Sequence, residues 1–153
     1  MTKFVHPLAG TLALLAIATF WLSTVVSELS ASQAVVTSVK TAIPWGFLFL
    51  VPALAAAGGS GVALAKGRRG VLIEGKTKRM HVAAANGFLI LIPSALFLAS
   101  KARGGEFDIA FYAVQAVELA AGATNIVLLS RNLLDGLKMK GRLRRRPLSH
   151  GQS

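Results

Sequence analysis

An acidic side chain lies near the middle of a long apolar run, residues 108–130. Glu118 is about ten residues from either end of this run, and Gln115, Gly122 and Asn125 recur around it at intervals of three or four residues. On an α-helix these four positions share one face. At the centre of a bilayer a charged side chain costs about 2.5–3.5 kcal/mol. We therefore expect this face to point at other helices, a cavity or a bound group.

The polar residues of the other apolar runs indicate which groups Glu118 can meet. Counting about 1.5 Å of helix rise per residue from the presumed inner end of each run brings Thr19, Ser94 and Glu118 to one level. The backbone carbonyl that Pro52 leaves without its usual partner lies at the same level. If these groups share interhelical hydrogen bonds, each worth about 0.6 kcal/mol on average, Glu118 is structural. If Glu118 is instead linked to solvent, it can relay protons.

Two histidines open separate apolar runs. His6 precedes the first run and His81 begins the third, and in an antiparallel bundle these two runs point in the same direction. The two imidazoles would then face each other at similar depth, as the two axial ligands of a six-coordinate b-type haem do. Arg79 and neighbouring basic residues would meet the haem propionates, and Asn86 and Asn125 would make contacts around the ligands.

With these histidines and four apolar runs, the chain resembles the small four-helix b-type membrane cytochromes and the anchor subunits of quinone-linked respiratory complexes. The resemblance covers the apolar runs and rests on His6 and His81. It implies haem b, electron exchange with quinone and association with other membrane subunits. Alternatively, both histidines lie at the membrane interface and contact lipid head groups. The H-P-L-A-G opening and the A-N-G of the third run are also similar to segments of bacterial inner-membrane proteins.

The composition is that of a membrane protein. Of the 153 residues 54% are hydrophobic and 15% are charged, whereas soluble domains carry about 25% charged residues. The absence of cysteine excludes disulfides, zinc–thiolate sites and iron–sulfur clusters within the chain. The net charge of +11 does not indicate nucleic-acid binding, because the basic residues lie between and after the apolar runs.

The apolar runs predict an all-α integral membrane protein, an up-down four-helix bundle. Connections this short favour antiparallel neighbours. The predicted spans are followed by a basic tail at 131–153, and they cover residues 8–27, 41–65, 81–100 and 108–130. Small residues at every fourth position of the second span let another helix backbone approach closely, and they are Ala53, Ala57, Gly61 and Ala65. Trp21 and Trp45 lie near span ends, where tryptophan favours the membrane interface.

The distribution of basic residues predicts the orientation. The presumed inner side, with both termini and the 66–80 connection, holds 14 of the 17 lysines and arginines, and the other side holds Lys40, Lys101 and Arg103. By the positive-inside rule both termini are cytoplasmic. With an alanine- and glycine-rich composition, this predicts a multi-pass protein of the bacterial inner membrane. The basic tail would bind anionic lipids or an acidic partner surface.

Three functions are compatible with these observations. The first is a redox membrane subunit that carries haem b on His6 and His81, with Glu118 handling protons or lying near a quinone. The second is a cofactor-free accessory or scaffold subunit of a larger membrane complex. The third is a small transporter or channel with Glu118 as its ion site, although no two similar halves are visible in the chain. An enzyme acting alone is not indicated, because Glu106 and Asp108 lie in a short polar connection and no catalytic set is present.

Overall fold

The chain is helical throughout the part that the structure, a computed structural model, describes, which is residues 2–65 and 71–144. The helices are α1 (Thr2–Leu29), α2 (Gln33–Ala65), α3 (Val71–Asn86), α4 (Ile92–Arg103) and α5 (Ile109–Arg144), and a π-helical turn, Gly87–Leu91, joins α3 to α4. The predicted basic tail begins within α5, and its last nine residues lie outside the described residues.

Four helical segments are long and apolar enough to cross a membrane, as predicted. They cover Val5–Leu29, Gln33–Gly61, Glu74–Arg103 and Ile109–Lys138. Each is longer than the predicted span. α2 begins at Gln33, where we expected a polar connection as far as residue 40. Lys40 therefore lies two turns inside a membrane helix and not in a flanking loop.

The third span changes its helical pitch at its centre. The backbone N–H of Ile92 donates to the carbonyl of Gly87, which is a π-helical hydrogen bond. Pro93 follows directly, and proline has no N–H to donate and crowds the carbonyl four residues earlier. A wider turn before Pro93 accommodates this proline without ending the span.

The four spans form a ring in which each packs against two neighbours. α1 packs against α2 and α5, and the third span packs against the same two helices. Within the described residues, α1 makes no close backbone contact with the third span, and α2 makes none with α5. These two pairs are therefore the diagonals of the bundle.

Side-chain contacts show that neighbouring helices are antiparallel. Thr24 of α1 meets Lys40 of α2, and His6 meets Ala57. One end of the bundle, the His6 end, therefore contains the start of α1 and the end of α2. The opposite end, the Lys101 end, contains the α1–α2 connection and the α4–α5 connection. Its residues include Asp108, which caps α5 by accepting a hydrogen bond of 2.9 Å from the backbone N–H of Phe111.

Two apolar clusters fill the interior. One lies toward the Lys101 end and consists of Val36, Leu98, Ala102 and Phe111. The other lies toward the His6 end and is built on Ala13, Ile17 and Leu50. Between these clusters the bundle interior is polar.

Candidate functional site

Lys40 of α2 and Glu118 of α5 form an ion pair in the interior of the bundle. The ammonium of Lys40 donates to a carboxylate oxygen of Glu118, and only 1% of the Lys40 surface is exposed. The two residues belong to helices on a diagonal of the bundle, so their long side chains bridge a gap that the backbones do not close. By helix rise the pair lies about 10–14 Å from the Lys101 end.

At this buried position each charge of the pair is stabilised mainly by the other. The surroundings are membrane helices and apolar clusters, where the removal of one partner of a buried ion pair costs about 3–5 kcal/mol. From the sequence we expected Lys40 to lie in a connection that flanks the spans. The structure corrects this position, because Lys40 lies inside α2 and is buried. A signal was available in the sequence, because an intramembrane acid requires a partner and Lys40 is flanked on both sides by residues compatible with a continuous helix.

Thr24 of α1 completes the immediate contacts of the ammonium. Its hydroxyl oxygen lies 3.4 Å from Nζ of Lys40. Three helices thus meet at one cation. We name the group formed by Lys40, Glu118, Thr24, Gln115 and Glu28 the Lys40 site.

Two oxygens of the Lys40 site are buried and have no hydrogen-bond partner among the residues that the structure describes. They are Oε1 of Gln115 and Oε1 of Glu28. Gln115 lies one turn from Glu118 on the same face of α5, and Glu28 lies one turn from Thr24 on the same face of α1. Both are displaced toward the Lys101 end. An unsatisfied buried acceptor costs about 1–3 kcal/mol, so each of these oxygens requires a donor, such as a water molecule or a neighbouring side chain.

A cavity of about 50 Å³ adjoins the site on the opposite side. Thr24 and Glu118 line its polar edge, and the other walls are apolar side chains that extend toward the His6 end, among them Phe20, Phe47, Leu91 and Leu119. A single water needs about 10–15 Å³ of such volume. The cavity therefore has room for a few water molecules in contact with the Glu118 carboxylate.

The partners predicted for Glu118 from depth alone are different. The hydroxyl of Thr19 is exposed and donates to the carbonyl of Leu15 in its own helix, at 2.8 Å. Ser94 is buried, but the carboxylate of Glu118 pairs with Lys40 instead. Depth alone therefore did not identify the partner of Glu118, because helix rise gives the depth of a residue and not the direction in which it points.

The two predicted haem ligands are not brought together. Nδ1 of His6 lies 2.9 Å from the carbonyl oxygen of Ala57 and 3.3 Å from the hydroxyl of Ser60, so this imidazole packs against α2. His81 is exposed, and its Nδ1 lies 2.9 Å from the carbonyl of Thr77. His6 and Met80 of α3 both lie near Gly61 of α2. A methyl group on Gly61 would lie 3.0 Å from the imidazole of His6 and 3.3 Å from the terminal carbon of Met80.

These positions do not fit axial ligation of one haem by His6 and His81. The exposed imidazole of His81 belongs to a helix that does not contact α1 within the described residues. Among those residues, no group of three or more histidine, aspartate and glutamate side chains is placed to hold a metal ion. No step proposed below uses a haem.

Asn86 and Asn125 form a polar contact between α3 and α5. Nδ2 of Asn86 donates to Oδ1 of Asn125 and to the carbonyl of Ala121, both at 2.8 Å, and Nδ2 of Asn125 donates to the carbonyl of Ala83 at 3.1 Å. These bonds use both amide groups within the bundle. They fasten the third span to α5 just before the π-helical turn.

Arg79 of α3 binds two polar side chains of α5. Its Nε donates to Oδ1 of Asn132 at 2.8 Å, and its Nη2 pairs with the carboxylate of Asp135. The predicted role of Arg79 at a haem propionate would compete with this ion pair. Arg68 and Arg69, which we expected beside it, lie outside the described residues, as do the side-chain contacts of Lys3.

The small residues of α2 serve packing inside the bundle. Ala57 is buried and its carbonyl meets His6, and Gly61 makes room for His6 and Met80. This part of the stripe is therefore not free for a partner protein. Trp21 is also an interior contact and not an interface anchor, because its indole N–H donates to the carbonyl of Leu119 at 2.9 Å. Trp45 is 71% exposed, as an interfacial tryptophan is.

Comparisons of the chain with protein-family models, with curated proteins and with solved structures find no match. The reading of the Lys40 site consequently rests on its own geometry.

Proposed function

We propose that this chain is a proton-conducting membrane subunit in which the Lys40–Glu118 pair handles the proton. The observation that carries this proposal is the position of the pair between two unsatisfied oxygens and a cavity. On one side, Glu28 and Gln115 offer acceptors toward the Lys101 end. On the other side, the cavity offers space for water toward the His6 end. The pair thus lies between these acceptors and the cavity.

A purely structural ion pair predicts different surroundings. Such a pair is stable only when nearby lone pairs and protons are also satisfied. The unsatisfied oxygens of Glu28 and Gln115 lower the stability of the fold, and helix packing alone does not require them. Ionisable residues inside membrane spans commonly mark ion and proton pathways. Glu118 can accept and release a proton, and the Lys40 ammonium can stabilise its charged form.

Proton flux into proteoliposomes tests this function. The purified chain is reconstituted with a pH-sensitive dye trapped inside, and a potassium gradient with valinomycin sets an inside-negative potential. The comparison is between the native chain, Glu118→Gln and Glu106→Gln. Glu106 is the matched control, since its carboxylate lies in the exposed α4–α5 connection.

The native chain and Glu106→Gln should acidify the interior faster than empty liposomes. Glu118→Gln should not, because an amide cannot exchange a proton with the cavity. The proposed function is overturned if the native chain is no faster than empty liposomes. It is overturned equally if Glu118→Gln conducts as well as the native chain.

The proposed setting is a redox or energy-converting complex of the bacterial inner membrane, with the His6 end cytoplasmic. Support comes from the positive charge of the sequence, which is concentrated at that end, where anionic lipids would also bind. In this setting the proposed partners of the chain are other membrane subunits. If the complex is a redox complex, a quinone is a further partner. Cross-linking in native membranes followed by mass spectrometry identifies the neighbouring subunits.

A cofactor-free accessory subunit is the second candidate. The observation that favours it is the number of interior hydrogen bonds devoted to holding helices together, such as those of Asn125 and Trp21. In that case the native chain conducts no protons and its deletion dissociates a larger complex. Haem b stays a prediction that the visible spectrum of the purified protein tests, through a b-type band lost in both His6→Ala and His81→Ala.

A further inference from the structure

The Lys40 site contains two carboxyl groups and one ammonium. Glu118 approaches Lys40 from α5, and Glu28 lies on α1 one turn beyond Thr24, whose hydroxyl is 3.4 Å from the ammonium. α4 also packs on α2, and it has no titratable side chain before Lys101, which pairs with Glu106 and Asp108 at the bundle end. The net charge of the site is therefore set by these three groups.

Charge balance determines how many protons the site holds. With both carboxyls ionised the site has a net charge of −1, and an unpaired charge in a low-dielectric interior is strongly unfavourable. With one carboxyl protonated the site is neutral. Neutrality can be reached in two ways, because either carboxyl can hold the proton while the other pairs with the ammonium.

We infer that Lys40 exchanges its partner between Glu118 and Glu28, and that Glu28 receives the proton from the Lys101 end. This inference rests on the proposed function and names the entry residue for that path. In the first state the ammonium pairs with Glu118, as in the structure, and the inference assigns the proton to Glu28. In the second state the ammonium pairs with Glu28 and Glu118 holds the proton. One proton moves toward Glu118 and the ammonium moves toward Glu28, so charge and atoms balance.

The geometry supports both states. One helical turn, about 5.4 Å, separates the Thr24 and Glu28 levels of α1, a distance that the flexible four-carbon stem of lysine can cover. The unsatisfied Oε1 atoms of Glu28 and Gln115 are acceptors for the ammonium in the second state. Gln115 is 5% exposed, so the site and not bulk solvent must supply its donor. Glu28 is half-buried and lies one residue before the end of α1, the end of that helix at the Lys101 end of the bundle.

The second state also connects to the cavity. A protonated Glu118 released from the ammonium lies at the polar edge of the cavity and can donate to water there. The ammonium returns to Glu118 when Glu28 is protonated again.

Infrared spectroscopy of the reconstituted protein counts the protonated carboxyls directly. The native chain near neutral pH should show one protonated buried carboxyl. Glu28→Gln and Glu118→Gln should each show none, because one ammonium then balances one carboxylate. Lys40→Met should show two. Glu106→Gln is the control and should match the native chain. A native spectrum without a protonated carboxyl, or Glu28→Gln with the native signal, overturns the inference.

Proton flux separates this inference from the proposed function. Glu28→Gln should lose flux while its helical content and melting behaviour stay native. If the native chain conducts, Glu118→Gln does not and Glu28→Gln is unchanged, the shared-proton inference fails while the proposed function stands. If the native chain does not conduct, the proposed function fails, and the carboxyl count still decides whether Glu28 shares the proton.

Discussion

Lys40 and Glu118 are joined by an ion pair across a diagonal of the bundle, where the backbones of α2 and α5 do not touch. The pair therefore joins these two helices by a polar contact, in addition to the apolar packing of their side chains in the two interior clusters. It lies between an apolar cluster at Val36, Leu98 and Phe111 and a second cluster at Ala13 and Ile17. Its contribution to stability and its contribution to proton transfer can be separated by mutation.

Single substitutions in the pair should destabilise the bundle, and a paired substitution should restore it. Lys40→Met or Glu118→Leu leaves a buried group without its partner, and we expect each to lower the free energy of unfolding by about 3–5 kcal/mol. The double variant removes both charges and should lie within about 1–2 kcal/mol of the native chain. Unfolding in detergent micelles, followed by circular dichroism, measures all four proteins. Additive losses in the double variant would show that the two side chains do not interact.

The contact of Trp21 with α5 predicts a steric effect at Gly122. A methyl group there would lie 2.8 Å from Cδ1 of Trp21, so Gly122→Ala should separate α1 from α5 and lower the melting temperature. Gly58→Ala is the control, because nothing lies within 4 Å of the added carbon. Equal melting temperatures for the two variants would contradict the close packing of α1 on α5.

Removing Asn125 should loosen the third span from α5. Asn125→Ala leaves the Asn86 amide and the Ala83 carbonyl each with one bond fewer, and we expect a loss of about 0.6–1.7 kcal/mol. Thr124→Ala is the neighbouring control, since that hydroxyl is exposed and bonds only within its own helix. Hydrogen exchange at residues 83–92 provides a local measurement. Unchanged protection there in Asn125→Ala would show that the amide contact does not hold the π-helical turn in place.

The cap of α5 predicts an acid-dependent loss of order at the Lys101 end. Hydrogen bonds from Lys101 and from the backbone N–H of Phe111 hold the pKa of Asp108 below its usual range. A carboxyl with a lowered pKa stabilises the folded state above its unfolded pKa, and this stabilisation is lost as the pH falls through the folded pKa. Asp108→Asn keeps a capping side chain and loses the charge, so its stability should vary less with pH than that of the native chain. The measurement is the melting temperature of both proteins as a function of pH. If it falls equally for both proteins as the pH is lowered, the Asp108 charge does not contribute to stability.

Four membrane helices follow from the sequence because length and apolar composition determine whether a segment can cross a bilayer. Asn86 and Asn125, which the sequence predicted around a haem, are instead joined to each other. The direction of each side chain was not accessible, because consecutive residues of a helix point about 100° apart. His6 therefore packs against α2, whereas His81 is exposed.

Lys40 was misplaced for a related reason. Its neighbours in the chain, Ser38 and Thr41, made the segment resemble a polar connection. Both hydroxyls instead donate to carbonyls of their own helix, which lets α2 begin at Gln33. The burial of Lys40 depends on a carboxylate 78 residues later in the chain, and a local pattern does not contain that information.

Proton flux through a variant that lacks both charges of the Lys40–Glu118 pair tests the role of the Lys40 site most directly. The Lys40→Met/Glu118→Leu double variant should fold like the native chain, so its conductance reports on the pair and not on stability. In proteoliposomes under an inside-negative potential, the native chain should conduct protons and the folded double variant should not. Equal flux from the two proteins, or no flux from the native chain, would contradict a proton-handling role for Lys40 and Glu118.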